Sequence, residues 1–187
     1  MTDILLVLKS GGEYTAEHVY RLRDQLDTPE NLVVYSDIKI EGVRTIPLMH
    51  DWQGWWSKME MFRHESPFLF MDLDTTVRKP LVDLVKEAEQ YKFVALRDVY
   101  RGTKDPNALQ SSLMYTDGSF RWLYDLFKTD PKYYDGGDQI FIEKNVENPM
   151  FWQDITDEVT SYKVPNGNDD PTVVIFHGKP RPWEVAA

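Results

Sequence analysis

The chain opens on a continuous apolar run, Ile4-Leu5-Leu6-Val7-Leu8, that stops at Gly11 and Gly12. A run of this length closed by glycines predicts a strand buried on both faces. Thr15 stands where a helix cap belongs, and Val19, Leu22 and Leu26 recur at helical spacing until Pro29 interrupts. A second strand is predicted over 32–35, followed by a loop with a short extended piece over 36–47. Gly54 opens a predicted helix in which Trp55, Met59 and Phe62 share one side, which puts Trp55 on its buried stripe. Pro67 separates that helix from Phe68-Leu69-Phe70-Met71, a third buried strand that runs into Asp72-Leu73-Asp74. Further on, 81–90 reads as helix, 93–96 and 112–116 as strands, and Phe120, Leu123, Tyr124 and Phe127 mark another helix. A short helix is predicted over 139–144 after Gly136 and Gly137, and a last strand over 173–176.

Strand and helix alternate for most of the length. That pattern predicts the α/β class, with a mostly parallel sheet, helices on both faces, and ligands bound outside the carboxyl ends of the strands. Asp72, Asp74 and His177 each fall just past a predicted strand, so they are expected to converge on that edge. No linker-like stretch divides residues 1–187, and a single domain is expected.

Composition narrows the function. With 42% apolar and 28% charged residues and no low-complexity tract, the chain has the makings of a globular domain rather than a disordered one. Its 31 acidic against 21 basic residues give a formal net charge of −10, which opposes nucleic-acid binding as a primary role. The absence of cysteine excludes disulfides, thiolate zinc sites and cysteine nucleophiles. The Ile4–Leu8 run is too short for a signal-peptide core, and no stretch approaches the roughly 20 apolar residues of a membrane span, so a cytoplasmic protein is expected.

Asp72 and Asp74 are separated by one residue at a strand exit, so both carboxylates can turn to one point while Leu73 turns back into the core. Hard oxygen ligands so placed suit Mg or Mn, with substrate phosphates and water completing the shell. Two aspartates that merely end a strand as turn residues are the plainer reading. Asp72-Leu73-Asp74-Thr75-Thr76 also resembles the first motif of haloacid dehalogenase-type phosphatases, with Asp72 as nucleophile, although that motif opens its fold and here more than a third of the chain precedes it. Of the four histidines, His18 and His64 lie on predicted helices without an assigned role, and His50 lies in a loop beside Asp51 and Trp52 that could line a pocket. His177 is delivered by an apolar strand and followed by Gly178, which frees the backbone to approach a ligand.

Taken with Asp72 and Asp74, the run Phe176-His177-Gly178-Lys179-Pro180-Arg181-Pro182-Trp183 resembles glycosyltransferases of the A-type (GT-A, Rossmann-like) fold, especially the glycogenin and bacterial galactosyltransferase family. The resemblance implies that Asp72, Asp74 and His177 bind Mn²⁺ or Mg²⁺, with Asp72 reaching also to the donor. It implies that Gly178, Lys179 and Arg181 close over the diphosphate, that Tyr14 stacks on uracil, and that Lys58 after Ser57 reaches the donor. Asp138 and Gln139 match the pair that stands near the reacting sugar. A helix cap is the alternative for Asp138, and a solvated helix lysine for Lys58. The expected partners are a UDP-hexose donor and a carbohydrate or other acceptor, with transfer that retains configuration. A non-catalytic nucleotide-sugar binding module is the third reading. The chain departs from the family pattern in setting His177 next to Gly178, in Arg181 for the usual lysine, in Gln110-Ser111-Ser112 where Asn and Gly are frequent, and in Ile140 where a third acid often follows. The clustered Trp52, Trp55 and Trp56 read as core packing rather than a carbohydrate groove.

Overall fold

The computed structural model describes residues 2–185. In chain order the elements are β1 (Asp3–Leu8), α1 (Ala16–Arg23), β2 (Leu32–Ser36), β3 (Arg44–Pro47), a 3-10 helix (Gly54–Arg63), β4 (Phe68–Met71), β5 (Thr75–Val77), α2 (Val82–Ala88) and β6 (Phe93–Arg97). There follow β7 (Leu109–Thr116), α3 (Arg121–Thr129), α4 (Asp138–Asn145), β8 (Met150–Phe151), α5 (Trp152–Ile155), β9 (Val159–Ser161) and β10 (Val173–Ile175).

Seven strands form one sheet in the order β3-β2-β1-β4-β7-β6-β8, and β7 alone runs against the rest. The side-chain period of two divides each strand between two cores. Ile4, Leu6 and Leu8 of β1 pack with Val19, Leu22, Leu84, Ala88 and Trp152, while Leu5 and Val7 pack with Met59, Phe62, Leu123, Phe127 and Phe141. Helices thus cover both faces, as the alternating sequence predicts.

The last predicted strand lies elsewhere. Instead of extending the main sheet, β10 sits in a second sheet of order β5-β10-β9, antiparallel to β5. Its register pairs Ile175 with Thr75, so the residues after β10 come back beside those before β5. That return brings His177 toward Asp72 and Asp74 without a place in the large sheet.

The segment 54–63 corrects the assignment of Trp55. Ser57, Glu60 and Met61 on the other faces of this 3-10 helix are buried along with Trp56, Met59 and Phe62 on one face. Trp55, placed on that face by an α-helical count, is 61% exposed. His64 caps the same segment as a buried residue whose Nε2 lies 2.9 Å from Asp3 Oδ2.

One buried carboxylate fixes this helix to the preceding loop. Glu60, fully enclosed, accepts the backbone N–H groups of Met49 (2.8 Å) and His50 (2.7 Å) and pairs with Arg63 (2.5 Å). The acceptor is needed because two loop amides would otherwise be stranded away from water. Glu60→Ala is expected to lose about 3–5 kcal/mol of stability in urea unfolding, because it leaves both amides and Arg63 without their partner; a loss under about 1 kcal/mol would show that the loop satisfies itself.

Candidate active site

Asp72 leaves β4 with its backbone N–H bonded to Ser112 O (2.9 Å), and Thr75 N–H returns to Asp72 O (3.1 Å) to close a turn. Leu73 is buried in the core, so Asp72 and Asp74 both turn outward from it. From α1, the Arg21 guanidinium donates to the carbonyls of Leu73 and Thr75 at 2.7 Å each, holding the backbone on either side of Asp74. Because β7 runs against its neighbours, its first residues reach the same sheet edge and add Ser111.

The centre of the site is an ammonium between two carboxylates. Lys58 Nζ lies 3.1 Å from Asp72 Oδ1, 3.1 Å from Asp138 Oδ2 and 3.0 Å from Ser111 Oγ, and the Ser111 hydroxyl donates to Asp138 Oδ2 at 2.7 Å. Burial pushes the Lys58 ammonium toward losing its proton, but Asp138 and Asp72 outweigh it and raise its pKa. Asp138 is raised as well, by burial first and then by Asp72, against the pull of Lys58 and the Ser111 hydroxyl. Gly137, with φ +82, holds the N-cap of α4, so Asp138 is the first helical residue and does not serve as its cap. Lys58, with 12% of its side chain exposed, is no solvated helix lysine. Gln139 follows, half-buried, at the same helix start.

A second group closes the other end of the edge. Arg181 pairs with Asp74 Oδ2 and grips Glu13 through Nε (3.1 Å) and Nη2 (2.7 Å), its guanidinium lying 5.3 Å from the centre of the Tyr14 ring. Burial and the nearby Asp72 push Asp74 up to about 6, although Arg181 and the Tyr14 hydroxyl pull the other way. Burial, with Asp74 behind it, also raises the Tyr14 hydroxyl. Trp183 meets Tyr14 and His18 edge to face, at 6.1 and 4.3 Å, so the C-terminal run is strapped across the start of α1. Gly178 takes φ +82, a backbone conformation that favours glycine, where the chain leaves β10 for this strap. Lys179 points to solvent, 77% exposed, with Glu184 as its partner at 3.8 Å.

His177 is half-buried beside a cavity of about 50 Å³ that Ser161 and Ile175 also line, and its Nε2 is buried without a hydrogen-bond partner. Burial, helped by Lys163, lowers its pKa and favours the neutral ring, against the opposite pull of Asp98 first and Asp72 after it. Among the described residues no three His, Asp or Glu side chains converge as a ready-made metal cage. His50, expected as a possible pocket residue, instead stacks on Trp52 at 4.2 Å and bonds the Tyr124 hydroxyl at 2.8 Å, within the packing of α3. Glu13 and Ser111 belong to the edge although sequence reasoning gave them no role there. Glu13 adjoins Tyr14 at the glycine turn, and that position is the signal that could have found it.

Lys58→Met is expected to cost about 3–5 kcal/mol at neutral pH, since it leaves Asp138 buried opposite a like charge. A carboxyl whose pKa is raised by folding favours the folded state below its ordinary value, and that contribution fades as pH rises through the folded value. Losing Lys58 drives Asp138 further up, so the deficit of the variant should shrink in acid and grow toward alkaline pH. Urea unfolding at several pH values checks this, and a deficit independent of pH would contradict it.

No protein-family model and no curated protein sequence matches the chain. Solved structures match it in fold. The galactosyltransferase LgtC in complex with donor and acceptor sugar analogs superimposes with a TM-score of 0.66 at 10% identity, over 97% of this chain and 89% of that one. The apo glycosyltransferase GlyE of Streptococcus pneumoniae TIGR4 gives 0.66 at 14% identity, over 97% of this chain and 56% of its own. Mouse xyloside xylosyltransferase 1 gives 0.56 at 12% identity, over 95% and 97%. Asp72 follows the fourth strand of this fold, not the first, which sets aside the phosphatase expectation. The chain carries the GT-A fold of these glycosyltransferases.

Proposed function

We propose that the chain is a glycosyltransferase that moves a hexose from a UDP-hexose to a carbohydrate acceptor with retention of configuration. The observation that carries this reading is the row Glu13, Arg181, Asp74, Asp72, Lys58 and Asp138 along the carboxyl edge of a GT-A sheet. Four carboxylates against two cations leave the edge negative, which a divalent ion complements.

The donor set fits Mn²⁺ or Mg²⁺ chemically. Asp72 and Asp74 offer hard oxygens, and the His177 imidazole, held neutral by burial, has a buried Nε2 with no partner. These three would hold the ion, which when bound stabilises charge on the departing diphosphate. The remaining work falls to the chain. Arg181 exchanges its carboxylate partners for phosphate oxygens as the donor enters, and Lys179, exposed beside Glu184, adds a second positive charge there. The Tyr14 ring, already under Arg181, takes the uracil side. Lys58 keeps Asp72 and Asp138 apart in fixed positions, so that Asp138 and Gln139 face the sugar without reorganising.

Calorimetry with UDP and Mn²⁺, together and singly, tests the reading. UDP is expected to bind at least about tenfold more tightly with Mn²⁺ than without it, and Mn²⁺ to gain equally from UDP. His177→Ala should erase most of that coupling. Equal UDP affinity with and without the ion would contradict the proposal. Hydrolysis of a set of UDP-hexoses should fall about a hundredfold or more in Asp138→Asn, and no change would remove Asp138 from the reacting centre.

A further inference from the structure

The three tryptophans at 52, 55 and 56 look alike in sequence, but only Trp55 presents its ring to solvent; Trp52 and Trp56 are core residues. We propose that Trp55 is the stacking platform for the sugar acceptor, at the end of the edge opposite Arg181. This inference rests on the glycosyltransferase reading and deepens it.

Three observations place the ring there. The indole lies directly against Gly137: a Cβ at that position would stand 2.7 Å from Trp55 Nε1 and 2.9 Å from Cδ1. Gly137 has φ +82 and precedes Asp138, so the backbone that seats the indole is the backbone that aims the carboxylate. On a 3-10 helix, residues three apart eclipse one another, which sets Trp55 one turn before Lys58 on the same face. Lys58 in turn holds Asp72 and Asp138. Trp55 is therefore exposed yet seated, and both elements that position it lead to the Lys58 cluster.

The surroundings select the ligand. The ring is flat and apolar, and past Gly137 the Lys58 cluster offers the partly exposed Asp72 carboxylate, whose remaining lone pairs accept hydrogen bonds from hydroxyl groups. A pyranoside has that duality, a face of C–H groups and an edge of hydroxyls. The excess of acid along the edge disfavours an anionic ligand at this end. With the donor's diphosphate at Arg181 and Lys179 and its hexose reaching as far as Asp138, the ring that lies against Gly137 is left for the acceptor sugar.

The test uses the full chain with UDP and Mn²⁺, and methyl glucoside, methyl galactoside, lactose and maltose as probes, read by saturation-transfer NMR and calorimetry. At least one probe is expected to bind the wild type. Trp55→Ala should weaken it about tenfold, and Trp55→Phe should restore most of the affinity. Thermal unfolding of both variants, read alongside, shows that the fold is kept. Binding of no probe by the wild type, or equal probe affinity in Trp55→Ala, overturns the proposal. So does a loss confined to UDP-hexose relative to UDP, because the ring would then serve the donor. If UDP fails to couple with Mn²⁺ while Trp55→Ala still weakens probe binding to that extent, sugar stacking stands and the transferase reading falls.

Discussion

The site depends on a buried ammonium held between two carboxylates. Lys58 meets Asp72, Asp138 and Ser111 within about a hydrogen-bond length. In that enclosed place none of the three charges is tolerable without the others, because the loss of hydration must be returned by attraction at short range. The constraint reaches outward. It fixes the end of β4, the start of β7, the first turn of α4 and the 3-10 helix relative to one another, since each contributes one member. Glu60, two residues beyond Lys58, ties that helix to the loop before it. Asp72 is the most open member of the trio, with 24% of its side chain exposed, and so faces any arriving ligand.

The second end of the edge is held shut by one guanidinium and an aromatic contact. Arg181 sits on a segment joined to the body through Glu13, Asp74 and the ring of Trp183 against Tyr14 and His18. Its partners are carboxylates, which a phosphate can replace with the same bidentate geometry. The guanidinium thus serves as the internal counter-ion of Asp74, the pairing that the proposed donor would have to displace. An arginine at 181 has a physical consequence here: a guanidinium can grip Asp74 and Glu13 at once, whereas an ammonium would offer a single point of charge.

Much of this was legible in the chain. The strand Ile4–Leu8 and the alternation of elements gave the sheet and its two helical layers, and Asp72-Leu73-Asp74 gave the turn at its edge. What periodicity missed has physical causes. An apolar strand reads the same in either direction, so the reversal of β7, and with it Ser111's arrival at the site, carried no signal. The strand at 173–175 looks like any buried strand, and only pairing with β5 reveals the second sheet. Trp55 was misplaced because it stands in the opening turn of the 3-10 helix, before that segment enters the core, where no residue count separates it from Trp56. Glu13 was missed because its partner stands 168 positions away in sequence, and only its place beside Tyr14 pointed to the edge.

The central claim is that Asp72, Asp74 and His177 close on one divalent ion when the donor's diphosphate displaces Arg181. Anomalous scattering from crystals grown with Mn²⁺ and UDP tests it most directly. The account predicts one strong manganese peak bonded by both carboxylates and by His177 Nε2, with Arg181 moved from Asp74 onto phosphate. Manganese bound elsewhere, or Arg181 still paired with Asp74 beside a bound nucleotide, would contradict it.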